Sequence, residues 1–343
     1  LERTRMQIIR SLLAGEKSFW ELIRDQDGDL SSYCQEIGQL IEEGIIEADD
    51  QKITLTEKGQ EWAGRNRIKP LQDIICSRCE GKGLVLQGIF QEVLEQFRQL
   101  TKDRPPAIAE FDQGFVEPEN TVARVAFMYA RGDLENKNIF ILGDDDLTTI
   151  AAALTQMPRR IVVAEIDERI VEFITTVVER QGWKNVQVVK YDVRNPLPEE
   201  LQGQFDVFVT DPVETIPGLK LFLSRCIQAL KGKSSAGYFG LTHLEASRKK
   251  WYAIQQMILD MNFVITDLVH DFHRYILERE KFVTKNYPVV EKAPVPLPVP
   301  QVNWYTSNLF RLEAVGVPQP ATDKKSSLGR ELYFDNESYA TLP

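Results

Sequence analysis

Residues 138–167 read NIFILGDDDLTTIAAALTQMPRRIVVAEID, and this stretch decides the fold. Ile139–Leu142 and Ile161–Ala164 are apolar runs of strand length, each closing on an acidic turn. Working outward, further strand runs appear at Val186–Val189, Val207–Val209 and Gly237–Phe239, with helical stretches at Glu168–Arg180 and Leu219–Leu230 between them and Glu245–Leu259 after the fifth. Alternation of this kind predicts a parallel sheet with right-handed crossovers. Phe263–Val269 reads as a sixth strand, and Thr306–Glu313 as an edge strand after a long excursion. Within that excursion Lys292–Pro300 reads as extended polyproline. The expected fold is α/β, with a doubly wound, mostly parallel seven-stranded Rossmann-like sheet over residues 136–315.

Residues 1–70 fit a winged helix, with amphipathic segments Met6–Leu13, Ser18–Arg24 and Leu30–Ile41, then a hairpin pattern at Ile45–Glu47 and Lys52–Leu55. In a DNA-binding unit of this type the third helix enters the major groove. Here Asp29 to Glu43 contains no lysine or arginine, so an interdomain or dimer contact is the better reading. Residues 71–135 form a connector with helices expected near Ile89–Leu100 and Glu119–Arg131. It holds Cys76-Ser77-Arg78-Cys79, half of a zinc-ribbon pattern with no second half, and no metal is expected. Residues 316–343 are polar and expected to be a flexible tail.

The chain has 343 residues, 27% of them charged, and a formal charge of −10. An acidic surface disfavours nucleic acid, whose phosphates need lysine and arginine, and favours cationic ligands. No apolar run approaches the length of a membrane span. The first residues lack the apolar segment of a signal peptide, and four cysteines do not make a secreted framework at this length, so a cytoplasmic location is expected.

Ligands of doubly wound sheets sit at the carboxyl ends of the strands, where the strand order reverses. A phosphate site there would use a glycine-rich turn. This chain places Gly143-Asp144-Asp145-Asp146 in that turn, whose field repels phosphate and attracts a cation. One aspartate capping the next helix explains one residue, not three. Glu165 closes the second strand, where a carboxylate can accept from both ribose hydroxyls of a nucleoside. Asp192 follows the third strand and could accept from an adenine amino group. Asp211 and Glu214 follow the fourth. All of these should line one cleft, with Arg194 alone among cations in these turns. His243, His270 and His273 read as too few and too badly spaced for a metal site.

Glu165-Ile166-Asp167 resembles the ribose-binding segment of spermidine synthases. The full set looks closer to the branched-chain polyamine synthases: a winged helix, CxxC, Phe111-Asp112-Gln113-Gly114, GDDD, Asp211-Pro212-Val213-Glu214-Thr215, and Gly240-Leu241-Thr242-His243-Leu244-Glu245. The resemblance covers nearly the whole chain. It implies a class I methyltransferase-like sheet, decarboxylated S-adenosylmethionine as donor, spermidine as acceptor, methylthioadenosine as by-product, and a homodimer.

Chemistry leads to a compatible mechanism. A secondary amine is protonated at neutral pH and has no free lone pair, so a base must strip it beside the sulfonium-activated methylene. Clustered carboxylates raise one another's basicity. Asp145 is the expected base, with Asp144 and Asp211 tuning the cluster or binding amine. Asp146 is expected on the donor's ammonium, and Gly143, Glu165, Ile166 and Asp192 on its nucleoside. Asp112, Glu214 and Glu245 are candidates for the two terminal ammonium groups of spermidine. Two alternatives differ in what they do. An S-adenosylmethionine-dependent methyltransferase is suggested by Asp211-Pro212, though no aromatic follows to stack on a flipped base. A winged-helix transcription regulator with a nucleoside-sensing domain would reveal itself by salt-dependent DNA binding.

Overall fold

Successive residues of a strand face opposite sides of the sheet, and in the quoted stretch both sides are apolar. Ile139, Ile141, Ile161 and Val163 enter one core, while Phe140, Leu142, Val162 and Ala164 enter another. Strands apolar on both faces must be covered on both, so helices are forced to either side. Each of the isoleucine, valine, leucine and phenylalanine side chains, fully buried, contributes about 1.5–3 kcal/mol.

The computed structural model describes residues 3–277, 283 and 285–342. It begins with α1 (Arg3–Leu13), α2 (Phe19–Arg24), α3 (Leu30–Glu42), the antiparallel pair β1 (Ile46–Ala48) and β2 (Ile53–Leu55), and α4 (Glu57–Arg65). Ser18 and Glu21 form a reciprocal capping box at the start of α2. The connector supplies α5 (Ile89–Thr101) and α6 (Pro118–Ala130). Then come β3 (Asn138–Leu142), α7 (Thr148–Leu154), β4 (Arg160–Glu165), α8 (Glu168–Gln181), β5 (Val186–Lys190), β6 (Val207–Thr210), α9 (Ile216–Ala229), β7 (Ala236–Leu241), α10 (Arg248–Asp260), β8 (Phe263–Arg274) and β9 (Thr306–Ala314).

The seven-stranded sheet runs β5-β4-β3-β6-β7-β9-β8. The first five strands are parallel; β9 is antiparallel to both of its neighbours. This is the class I methyltransferase-like arrangement. The expected edge position of Thr306–Glu313 is corrected: β9 inserts between β7 and β8, and β8 is the edge. The reason lies in burial, since β9 is buried almost throughout whereas β8 alternates with solvent. Because β9 runs antiparallel, its first residues lie at the carboxyl edge, where Asn308 pairs with Leu241.

Two segments that read as peripheral pack against the sheet's carboxyl edge. The N-terminal helices share a core with Leu244, Val289, Trp304 and Tyr339. Trp20 lies against Trp304 (centroids 4.9 Å apart) and donates to the carbonyl of Pro298 at 2.7 Å, within the proline-rich run. That run is extended only from Ala293, because Pro288–Lys292 is a short helix. The expected flexible tail is also corrected over residues 316–342. Buried Arg225 donates to the carbonyl of Lys324 at 2.6 Å, Thr215 donates to the carbonyl of Leu332 at 2.7 Å, and Leu332 and Tyr339 are buried. Its backbone satisfies buried donors, which polarity of sequence does not reveal. No described helix is long and apolar enough to cross a membrane.

Candidate active site

The carboxyl edge closes over a cavity of about 300 Å³. Asp112, Asp145, Glu165, Asp211 and Glu214 line it, against a single lysine or arginine, Lys285, among the described residues. Its walls are apolar or aromatic, including Ile166, Phe222, Tyr275, Tyr305 and Tyr333.

At the end expected to take the nucleoside, β3 leaves the sheet through Gly143 at φ +70°, a left-handed conformation that favours glycine. Glu165 accepts the backbone N–H of Asp144 at 2.7 Å and of Asp167 at 2.8 Å. These bonds fix the carboxylate at the cavity wall, and burial raises its pKa. Asp167 caps α8 and also accepts from Gln113 at 2.8 Å, which ties the connector across this end.

The three consecutive aspartates part company. Asp144 turns inward and accepts the N–H groups of Thr148 and Thr149, at 2.6 and 3.0 Å, at the start of α7. Asp146 accepts from the N–H of Val116 at 2.9 Å and pairs with buried Arg124 at 2.8 Å. Both side chains are buried and neither lines the cavity. Only Asp145 faces it. The expectations that Asp146 meets the donor's ammonium and that Asp144 binds amine are thus corrected, because helix N–H groups and Arg124 already occupy them. Asp192 also turns away, into a two-oxygen pair with Arg194 (2.7 Å at the shorter contact), which outweighs partial burial and holds its pKa below the ordinary value.

Asp145 accepts the N–H of Gly114 at 3.2 Å, and Arg104 donates to its carbonyl oxygen. Burial, then repulsion from Asp146, Asp211 and Glu165, raise the Asp145 pKa well above the ordinary value. Asp211 is pushed to about 6, again by burial first and Asp146 second. A Cβ on Gly240 would collide with the Asp211 carboxylate, so β7 must carry glycine there for Asp211 to lie flat against it.

Asp211 also ends a buried hydrogen-bonded chain. Arg124 Nε approaches His273 Nε2 at 3.0 Å, His273 Nδ1 approaches Ser307 Oγ at 3.0 Å, Ser307 Oγ approaches Tyr275 Oη at 3.2 Å, and Tyr275 donates to Asp211 at 2.6 Å. A guanidinium can only donate, so Nε2 accepts and the imidazole proton sits on Nδ1. Every proton in the chain therefore points toward Asp211. Burial and the neighbouring Arg124 depress the His273 pKa and keep the ring neutral.

At the far end Tyr305 Oη lies 2.9 Å from Glu214 and 2.8 Å from Glu245. A hydroxyl has one proton to donate, so Tyr305 can donate to only one of the two carboxylates at a time. Burial and the nearness of Glu245 raise the Glu214 pKa well above the ordinary value. Burial and Glu245 likewise push Asp112 to about 7. Glu245 reaches the site through Tyr305 and accepts the N–H of Ala340 at 2.6 Å.

Tyr275, Tyr305, Ser307 and Arg124 were not singled out in the sequence. The available signal was Trp304-Tyr305-Thr306-Ser307, polar and aromatic residues opening a strand that, once known to be antiparallel, starts at the carboxyl edge.

A methyltransferase-type sheet with an acidic, cation-seeking cleft in place of a phosphate loop defines a transferase that uses a nucleoside sulfonium donor. A family model described as the branched-chain polyamine synthase A C-terminal domain matches residues 92–340, and this chain belongs to that family. The N(4)-bis(aminopropyl)spermidine synthase of Thermococcus kodakarensis is 38% identical, covering 99% of this chain and 95% of the relative. That of Methanocaldococcus jannaschii is 40% identical, covering 97% and 93%. The crystal structure of the branched-chain polyamine synthase from Thermus thermophilus, in complex with N4-aminopropylspermidine and 5′-methylthioadenosine, superposes with a TM-score of 0.86 at 35% identity, covering 97% of this chain and 92% of that one.

Proposed function

We infer that this chain is an aminopropyltransferase. It moves aminopropyl groups from decarboxylated S-adenosylmethionine to the central secondary amine of spermidine, giving a branched polyamine and methylthioadenosine. The observation that carries the reading is the cavity lined by five carboxylates and one lysine, a match for a cationic donor and a polycationic acceptor. The family and the ligands of the Thermus enzyme agree with it.

In the proposed mechanism Glu165 accepts from the donor ribose, and Gly143 and Ile166 flank the nucleoside. Asp112 and the Glu214–Tyr305–Glu245 group hold the ends of spermidine as ammonium ions. With its ends held, the central nitrogen is positioned at the sulfonium-activated methylene, and positioning supplies much of the rate. Asp145 takes the proton from that nitrogen, whose lone pair then attacks carbon as the C–S bond breaks and its electrons pass to the neutral thioether. Asp144 and Asp146 fix the turn that presents Asp145. A second reading makes Asp211 the base, and the Tyr275 hydrogen bond and a pKa of about 6 favour it. The two carboxylates share one field, so the pair titrates as a unit.

The N-terminal unit acts as a packing module of winged-helix type rather than a DNA reader, since its third helix offers no cation and its core is continuous with the catalytic edge. Exposed Ile74 and Ile75, 86% and 60% accessible beside Cys76, support a homodimer through the connector. The four free thiols fit a cytoplasmic enzyme. Mass spectrometry of a reaction containing spermidine and decarboxylated donor tests the function: a branched product with stoichiometric methylthioadenosine is expected, and a linear product would refute transfer to the central amine.

A further inference from the structure

The three histidines read as unrelated in sequence, yet two of them meet. His243 follows β7, and His270 and Asp271 lie near the end of β8. One ligand atom from each can be chosen so that all three stand within 4.8 Å of one another. Neighbours on a strand ordinarily point to opposite faces. Here the β8 register shifts between Val269 and His273, and Asp271 takes φ +47°, so residues 270 and 271 turn to the same side. His270 Nδ1 lies 2.9 Å from one Asp271 oxygen, and His243 Nδ1 lies 3.9 Å from the other.

His243 supplies the independent observation. It is 3% exposed, and neither ring nitrogen has a hydrogen-bond partner. A buried imidazole with both nitrogens unsatisfied is costly and calls for an explanation. Burial keeps the ring neutral, the form that coordinates metals. The other members are already oriented: Thr306 donates to Asp271 at 2.7 Å, the Asp271 N–H is held by Asn308 at 3.0 Å, and the His270 ring stacks on His243 at 5.4 Å. The nearby Arg248 cation is paired with Asp27 at 2.8 Å.

We propose that His243, His270 and Asp271 form a binding site for a zinc-class divalent cation, outside the catalytic cavity. Two imidazoles and a carboxylate suit such an ion, with water in the fourth position. Tetrahedral zinc at about 2.0–2.1 Å from each ligand requires ligand atoms roughly 3.4 Å apart, so binding draws the group together. His270 is the most exposed member of the group. The ion would clamp the turn after β7 to β8. That turn carries Leu244, whose carbonyl accepts from Leu30 of α3 at 2.8 Å, and Glu245. The role is structural, fixing the N-terminal unit and the turn behind the spermidine-binding group.

The test uses the full chain stripped of metal, then titrated with Zn²⁺ by calorimetry and with Co²⁺ by visible absorption. One ion should bind per chain at this site, with the d–d bands of nitrogen and oxygen ligands, and should raise the melting temperature by several degrees. His270→Ala, at an exposed position outside the cavity, should fold normally, weaken binding at least tenfold and lose the thermal shift. Cys76→Ser should keep both. Absence of stoichiometric binding to the wild type would overturn the proposal. So would binding retained by His270→Ala, or binding lost in Cys76→Ser with a thiolate charge-transfer band in the wild type, which would place the ion on the cysteines.

Discussion

The two ends of the cavity use the same residue type in opposite ways. At the nucleoside end, the Glu165 carboxylate is met by two backbone N–H groups of the folded chain. At the polyamine end, Asp112, Glu214 and Glu245 face one another, with Tyr305 linking the two glutamates. The first end is finished and awaits neutral hydroxyls. At the second, burial and repulsion between neighbouring carboxylates raise the pKa values of Asp112 and Glu214. Asp145 and Asp211 stand between, their pKa values both raised by burial first and by Asp146 second. In the proposed mechanism, carboxylates satisfied by the protein orient, and carboxylates left to each other bind and react.

The largest expected effect is at the centre. Asp145→Asn keeps volume and removes basicity, and should lower kcat by about 100-fold or more with the fold intact. A variant retaining a tenth of the rate would exclude Asp145 as base. Tyr275→Phe then tests the pair, because removing the donor to Asp211 should shift the acid limb of the kcat profile upward, and an unmoved limb would exclude Asp211 from it.

At the nucleoside end, Glu165→Gln should weaken methylthioadenosine by roughly 1–3 kcal/mol, the value of a charge-assisted hydrogen bond, while spermidine affinity barely changes. Calorimetry showing equal losses for both ligands would erase the distinction between the ends.

The polyamine end should show a smaller, graded dependence on pH. Asp112 and Asp211 have folded-state pKa values of about 7 and 6, above the ordinary carboxylate value. The native state thus binds more protons than the unfolded chain between about pH 4 and 7, and the empty enzyme loses stability as pH rises through that window. Spermidine binds the ionised groups, so its affinity should rise severalfold from pH 5 to 8, and its thermal stabilisation with it. Methylthioadenosine affinity should change less; parallel curves for the two ligands would contradict the comparison.

The sequence made the nucleoside end legible because its residues sit at fixed places: Gly143 where β3 must turn, Glu165 where β4 ends. It also brought Asp211 and Glu214 to the same edge, while Asp112 and Glu245 came only as candidates for the polyamine. It did not say which way consecutive side chains turn. Asp144, Asp145 and Asp146 look alike in a string, yet helix N–H groups claim the first and Arg124 the third, and Arg124 comes from a helix whose packing no local pattern encodes. Tyr275, Tyr305 and Ser307 escaped notice because they enter through β8 and β9, whose order depends on long-range pairing. The segment 316–342 looked unstructured because its anchors are scattered backbone carbonyls, ion pairs such as Asp335 with Lys250, and single apolar residues such as Leu332, with no periodic pattern.

The central claim is that the acidic cleft selects a donor by its charge, and donor choice measures that directly. S-adenosylmethionine carries a carboxylate where the decarboxylated donor carries only an ammonium, and the proposed mechanism puts that end in the part of the cavity lined by Asp145 and Asp211. At about 4 Å and an effective dielectric near 20, each like-charge pair costs on the order of 4 kcal/mol before relaxation. A quarter of that over two aspartates already gives tens-fold discrimination. With spermidine present at neutral pH, the decarboxylated donor should bind tightly and release methylthioadenosine, while S-adenosylmethionine should bind at least tens-fold more weakly and yield no methylated product. Tight binding of S-adenosylmethionine, with S-adenosylhomocysteine as the product, would contradict the account.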